Sequence, residues 1–262
     1  MSMLLTIEQV FNDFLNKPGT SIIRCGNVEI TNLLKNEGID FNLKNNTGFC
    51  GDHKDYLEWK NDYNRALMNA NYHQHVLTCP SFSCVGDYLV YLNLYIPTIP
   101  YIENIEFWLS VFMNIKNSNK KLGIVSFFAD EMKEQYKKLS TLFPSKYDFS
   151  GINIEFIKTE NTCGSETKSY SKTLKKIKNK INNSNCDIYI LSCGLYGLPL
   201  CDFIKTKNKS SLYIGGLLQM LFGLKGKRWE NRSDMNKFYN KNWKEPESKP
   251  NNWNKIENGC YW

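Results

Sequence analysis

The chain has 262 residues, 42% hydrophobic and 14% aromatic, and a net charge of +7. That length suits one large domain or two small ones, and that composition excludes a chain disordered over most of its length. No apolar stretch reaches the roughly 18 to 20 residues that cross a bilayer, and Met1 to Val10 lacks the basic region of a signal peptide.

Met3 to Leu15 carries apolar residues at positions 4, 5, 7, 10, 11, 14 and 15, a helical spacing that ends at Lys17-Pro18-Gly19-Thr20. Ser21 to Arg24 predicts a short strand, Cys25-Gly26-Asn27 a turn, and Val28 to Lys35 a helix. Asn45 to Phe49 reads as a loop and Asp52 to Asn71 as a helix. The pattern is irregular around residue 80, and Tyr101 to Asn117 then predicts an aromatic-rich helix. Lys121 to Phe127 is a strand with a charged entry and a small polar exit, followed by a helix from Ala129 to Leu139. Ile152 to Ile157 predicts a strand, Lys168 to Asn183 a helix, Asp187 to Leu191 a strand, Leu200 to Lys207 a helix and Leu212 to Ile214 a strand. The apolar stretches from Tyr88 to Pro100 and from Leu212 to Leu224 read as buried segments.

From residue 121 the order is β-α-β-α-β-α-β, which predicts an α/β fold: a Rossmann-like, mostly parallel sheet flanked by helices, with right-handed crossovers. One domain is expected. Residues 1–118 form an N-terminal, largely helical portion packed on the sheet, 119–232 form the βα units, and 233–262 form a surface arm whose aromatic end, Tyr261-Trp262, is docked.

The nine cysteines are odd in number and contain no CxxC pair. Free thiols in a reducing compartment follow, and a cytoplasmic location is expected. The lysines at 172, 175, 176, 178 and 180 surround Leu174, Ile177 and Ile181, which makes an amphipathic surface helix. No nucleic-acid-binding pattern accompanies them, so no nucleic-acid partner is expected.

Several clusters can carry chemistry. Arg24 closes a strand, and Asn27 and Glu29 form an i, i+2 polar pair beyond Gly26. Such a pair can share a divalent cation or grip a ribose; it also makes an ordinary helix start, with Asn27 as cap and Glu29 near the positive dipole end. Arg24 suits pairing with Glu29 or a phosphate. Asn45, Asn46 and Gly48 can meet sugar hydroxyls or a base edge, or form a plain turn. Ser126 lies where a ligand at the carboxyl edge would touch it, or caps the next helix.

Gly194, Tyr196 and Gly197 form a turn only partly like GxGxxG, able to aim backbone N–H groups at an anion or to be a simple tight turn. Gly215, Gly216 and Gln219 lead into Lys225, Lys227 and Arg228, which can neutralise a diphosphate or form a solvated basic loop. Cys193 has no histidine near it in sequence to activate it. His73 and His75 lack a third metal ligand in view.

Taken in order, these segments resemble a known family. The motifs are Arg-x-Gly-x-x-Glu (Arg24 to Glu29), Asn-Asn-x-Gly-Phe (Asn45 to Phe49), Ser126 to Ala129, and Gly-x-Tyr-Gly-Leu-Pro-Leu (Gly194 to Leu200). Then come Gly-Gly-x-x-Gln-x-x-Phe-Gly-x-Lys-Gly-Lys-Arg-Trp (Gly215 to Trp229) and Glu-x-Gly-Cys-Tyr-Trp (Glu257 to Trp262). The chain resembles, over nearly its whole length, an uncharacterised bacterial and viral family related to the GT-D type glycosyltransferases.

The resemblance implies a nucleotide-sugar-dependent glycosyltransferase acting on a glycan or glycoconjugate hydroxyl. It also implies catalytic roles at Glu29 and position 27, and Mn2+ or Mg2+ as cofactor. GT-D enzymes carry Asp where this chain has Asn27, and an amide is a poorer ligand for a hard cation. Glu29 is then the metal candidate, or Lys225, Lys227 and Arg228 supply the positive charge instead. The alternative is a nucleotide- or glycan-binding protein of the same fold without catalysis.

Overall fold

The structure is a computed structural model that describes residues 6–35, 38–75, 97–100 and 102–262. Its elements are α1 (Ile7–Asn16), β1 (Ser21–Arg24), α2 (Asn27–Lys35), α3 (His53–Asn69), β2 (Tyr72–His75), β3 (Thr98–Pro100), α4 (Ile105–Asn117) and β4 (Leu122–Ser126). They continue with α5 (Ala129–Tyr136), β5 (Ile154–Lys158), α6 (Tyr170–Asn182), β6 (Ile188–Ser192), α7 (Gly197–Thr206), β7 (Ser210–Tyr213) and α8 (Ser233–Asn236).

Helix starts are set locally by side chains that accept orphan backbone N–H groups. Thr6 and Gln9 form a capping box on α1. Asp52, Asn104 and Ser169 cap α3, α4 and α6. Asn104 therefore starts α4 later than the apolar pattern from Tyr101 suggests.

Among the described residues, seven strands form one sheet in the order β3-β2-β1-β7-β6-β4-β5, every neighbouring pair parallel. A parallel sheet needs cover on both faces. Ile22 of β1 faces the cluster holding Phe11 and Phe14 of α1, Trp108 and Phe112 of α4 and Met132 of α5. The next residue, Ile23, faces the opposite cluster of Ile30 (α2), Trp59 and Tyr63 (α3), Leu174 (α6) and Leu200 (α7). This period-two alternation is why one four-residue strand belongs to two cores.

The predicted α/β class with a parallel, helix-flanked sheet is what the structure shows. The N-terminal portion does more than pack on that sheet, because it supplies β1, β2 and β3. The helix expected to run to Asn71 stops at Asn69 and gives way to β2. The loop at Asn45 is a π-helical turn, Leu43–Thr47, closed by Gly48 with φ 89°. The stretch 233–262 is docked far more deeply than a surface arm: Met235, Trp243, Ile256 and Trp262 are buried in the first core. The irregular region near residue 80, with Cys79 and Cys84, lies outside the described residues.

Chain order explains where a cleft opens. After β4 the chain crosses to the edge strand β5; after β6 it crosses the other way, to β7. Neighbouring strands β4 and β6 thus hand their connections in opposite directions. At such a switch point the connections diverge and leave a crevice at the carboxyl ends.

Candidate functional site

A cleft of about 700 Å3, counting its open mouth, lies at that edge. Each of four strands delivers part of its wall: Phe127 and Phe128 after β4, Thr159 to Cys163 after β5, Ser192 to Gly194 and Tyr196 after β6, and Tyr213, Gly215, Gly216 and Gln219 at and after β7. The π-helical turn adds Asn46, Thr47 and Gly48, and the C-terminal stretch adds Ile256, Tyr261 and Trp262. The lining is aromatic and amide-rich, a combination suited to an amphipathic ligand with rings and hydroxyls.

The glycine turns are shaped by close approach. Gly194 has φ 57°, and a Cβ there would stand 2.5 Å from the Thr47 carbonyl oxygen. Gly215 has φ 66°, and its Cβ would stand 2.6 Å from Nη1 of Arg24. Gly216 lies against the Tyr261 ring. Gly197 serves packing instead, since a Cβ there would stand 2.5 Å from the Tyr213 ring.

Beneath the Gly215 turn sits a small electrostatic cluster. Glu29, in the first turn of α2, is only 8% exposed, and its carboxylate folds back against Gly26. Burial pushes its pKa up to about 7; its own backbone N–H and Arg24 oppose the shift, and Glu257 adds to it. Cys25, between Arg24 and Gly26, is tied to β2: its N–H donates to Nε2 of His73 at 3.3 Å, and its Sγ lies 3.0 Å from the same nitrogen. Burial nonetheless pushes the Cys25 thiol up to about 12, so it meets His73 as the thiol. Cys193 is likewise pushed well above its ordinary range by burial.

Of the residues singled out by sequence, Asn46, Gly48, Gly194, Tyr196, Gly215, Gly216 and Gln219 line the cleft. Arg24, Gly26, Asn27 and Glu29 are not lining residues, although Arg24 touches the Gly215 turn. Asn45 donates to the Phe41 carbonyl at 2.9 Å, and Ser126 accepts the Phe128 N–H at 3.2 Å. The basic segment is turned to internal use. Lys225 lies over the Tyr239 ring and Lys227 over that of Trp253. Arg228 pairs with Glu257 and lies 4.9 Å over the Tyr261 ring.

Tyr196 stacks on Tyr170, and its hydroxyl lies 3.1 Å from Oγ1 of Thr162. Gln219 is 1% exposed; its Nε2 donates to the carbonyls of Lys225 and Tyr261 at 2.8 and 3.0 Å, while its Oε1 is buried without a hydrogen-bond partner among the described residues.

Glu257 is the main functional candidate outside those residues. It stands at φ 45°, next to Asn258 at φ 56°, a left-handed pair that bulky side chains rarely adopt. Its N–H donates to Oδ1 of Asn46 at 3.2 Å, and its Oε2 accepts from Tyr261 at 3.2 Å. Its sequence signals are the Glu-x-Gly-Cys-Tyr-Trp motif that it opens and the aromatic terminus beside it. Thr159 to Cys163 gave none, because their place depends on the sheet order.

The donor set does not match a resident divalent cation. Hard cations want ionised oxygens. Glu29 is buried, Glu257 is held by Arg228, and residue 27 is an amide. Among the described residues no group of three or more acidic, histidine or cysteine side chains is placed to hold one.

A solved structure described as a new glycosyltransferase (DUF1792) from Streptococcus sanguinis is similar to this chain at 19% identity and a TM-score of 0.48, covering 81% of this chain and 80% of that one. No protein-family model and no curated protein matches the chain.

Proposed function

We propose that the chain is a nucleotide-sugar-dependent glycosyltransferase, moving a sugar from a nucleoside-diphosphate donor to a glycan or glycoconjugate hydroxyl. The observation that carries the reading is the cleft at the switch point, with two left-handed glycine turns on its lining and Arg24 pressed against one of them. The Arg24 to Glu29 motif and the α/β order, which resemble GT-D enzymes, support it.

In this reading the donor diphosphate lies over Gly194, Gly215 and Gly216, where no side chain stands between ligand and backbone. The bond from the anomeric carbon to the phosphate oxygen breaks, and one from that carbon to the acceptor oxygen forms. Arg24 places fixed positive charge under the departing diphosphate. The acceptor's proton passes to Glu29, whose affinity for it near neutrality suits a general base. Asn27 orients the donor sugar as a neutral hydrogen-bonding group. No step is assigned to a metal.

A second reading, a nucleotide- or glycan-binding protein without catalysis, is favoured by the burial of Glu29, which is not a lining residue. Assays with UDP- and GDP-sugars, with and without Mn2+, separate the two. Transfer or donor hydrolysis by the wild type, lost in Glu29→Gln, supports the enzyme. Binding without turnover across a broad donor and acceptor panel sinks it.

A further inference from the structure

Gln219 is held in one orientation. Its Nε2 donates to the Lys225 carbonyl at 2.8 Å and the Tyr261 carbonyl at 3.0 Å, with the Leu224 carbonyl 3.5 Å away. Turning the amide over would set Oε1 against these carbonyl oxygens, so the acceptor stays on the other branch. Gln219 lines the cleft and is 1% exposed, yet Oε1 accepts from no described residue. Buried acceptors are costly to leave unmatched, and nearly all are matched. On the wall of a cleft, the matching donor belongs to a ligand.

The surroundings say which kind of ligand. Phe127, Phe128, Tyr261 and Trp262 line the same cleft. Their rings form a chain of edge-to-face contacts: Phe127 on Phe128 at 5.2 Å, Phe128 on Trp262 at 5.8 Å, and Trp262 on Tyr261 at 6.1 Å. The chain ends at Tyr261, whose carbonyl holds Gln219 and whose ring packs on Gly216. An aromatic surface with one fixed acceptor at its border suits a flat heterocycle that lies against the rings and donates an edge N–H. It does not suit phosphate, whose oxygens would face Oε1 acceptor to acceptor.

We propose that Gln219 reads the nucleobase in this cleft. Its Oε1 accepts a hydrogen bond from an edge N–H of the base, and the base lies against the rings of Phe127, Phe128, Trp262 and Tyr261. The proposal rests on the reading of the donor as a nucleoside diphosphate sugar. It gives that donor a direction, with the diphosphate over Gly215 and Gly216 and the base towards the C-terminal aromatics. The two halves of the amide then have separate tasks: Nε2 ties the 225 loop to Tyr261, and Oε1 selects the ligand. A base without the N–H is rejected because it leaves a buried acceptor unmatched.

Calorimetric titration of the full chain with UDP, GDP, CDP and ADP tests this, with inorganic pyrophosphate as a ligand that has no base. The tightest-binding nucleotide is compared with its counterpart methylated on the base-edge nitrogens, which keeps the ring and removes the N–H. In the wild type, methylation is expected to weaken binding about tenfold, the scale of one lost hydrogen bond to a buried acceptor. The comparison is repeated in two variants whose folding is checked by melting curves. Gln219→Met removes both halves of the amide, whereas Gln219→Lys keeps a donor for the Lys225 and Tyr261 carbonyls and removes only the acceptor. In both, the parent nucleotide is expected to bind more weakly, and the gap to its methylated counterpart to shrink to about twofold or less. Pyrophosphate binding is expected not to change in Gln219→Met.

A wild type that binds parent and methylated nucleotides alike overturns the inference, whether or not the variants fold, and leaves the glycosyltransferase reading standing. So does a gap that persists in both variants, since shape alone then excludes the methyl group. Pyrophosphate that binds as tightly as every nucleotide also overturns the inference, because the base then adds nothing. No binding of any nucleoside diphosphate to the wild type overturns both.

Discussion

Arg24 and Gly215 are in contact across the ends of two paired strands. A Cβ on residue 215 would stand 2.6 Å from Nη1 of Arg24, and the backbone there has φ 66°. The parallel register of β1 and β7 brings the two together, so a side chain near one end of the sequence borders a turn near the other. The glycine is needed twice, for its left-handed conformation and for the room it leaves the guanidinium.

Gly215→Ala is therefore expected to lower stability by about 1–2 kcal/mol from backbone strain and to push Arg24 out of place. Nucleotide-sugar turnover should fall at least about tenfold, on the scale of losing one aligned charge. A double-mutant cycle with Arg24→Ala checks the coupling: the second substitution should cost much less in the presence of the first. Additive effects would show that the two residues act separately.

Glu29 gives a pH signature. Its folded pKa, about 7, lies above the ordinary 4.5 because of burial, so the folded state holds the proton more tightly than the unfolded state. Stability from this group is complete below about pH 4.5 and is lost as pH rises towards 7, a swing on the order of 3 kcal/mol. Glu29→Gln removes the swing, so denaturant unfolding at pH 5 and pH 8 should show the variant gaining on the wild type at the higher pH. In the glycosyltransferase reading, turnover rises with pH through the same range and disappears in the variant.

Gly194 and Gly151 form a controlled pair. Both have positive φ, 57° and 88°, but a Cβ on Gly194 would meet the Thr47 carbonyl at 2.5 Å, whereas one on Gly151 would meet nothing within 4 Å. Gly151→Ala should cost only the conformational term, about 1–2 kcal/mol. Gly194→Ala should cost more, because a backbone atom has to move, and should also deform the cleft. Equal melting temperatures for the two variants would contradict the close approach.

The thiols of Cys25 and Cys193 should be unreactive in the folded protein. Burial raises Cys25 to about 12 and Cys193 well above its ordinary range, so the thiolate fraction at pH 8 is small. Iodoacetamide labelling read by mass spectrometry should reach both only after denaturant is added. Rapid native labelling of Cys25 would mean that His73 activates it.

The sequence was most legible where chemistry and periodicity agree. β4 and β6 are buried along nearly their whole length, so they read as apolar runs ending at small polar residues. β2 was invisible because Tyr72-His73-Gln74-His75 has no apolar pattern. Its polar groups are buried through specific partners: His73 meets Cys25, and Gln74 donates to the Tyr213 carbonyl at 3.4 Å. The glycine turns announced the cleft edge, since glycine is required there by φ and by contact. The use of the basic residues was not legible. Lys225 and Lys168 look alike as letters, yet one lies over a tyrosine ring and the other pairs with Glu160.

The strand order also bears on how the protein is made. β1 is the first strand to leave the ribosome, yet Ser21 pairs with Ser211 of β7, the last. At ordinary synthesis rates about 10 to 40 s separate their emergence. Throughout that interval Ile22 and Ile23 have one sheet edge open and both covering layers incomplete. Until β7 arrives, β1 therefore keeps an unpaired edge of the kind that can add a strand from another chain. β7 joins the β3-β2-β1 half of the sheet to the β6-β4-β5 half, so completion of the sheet and creation of the cleft become a single late event.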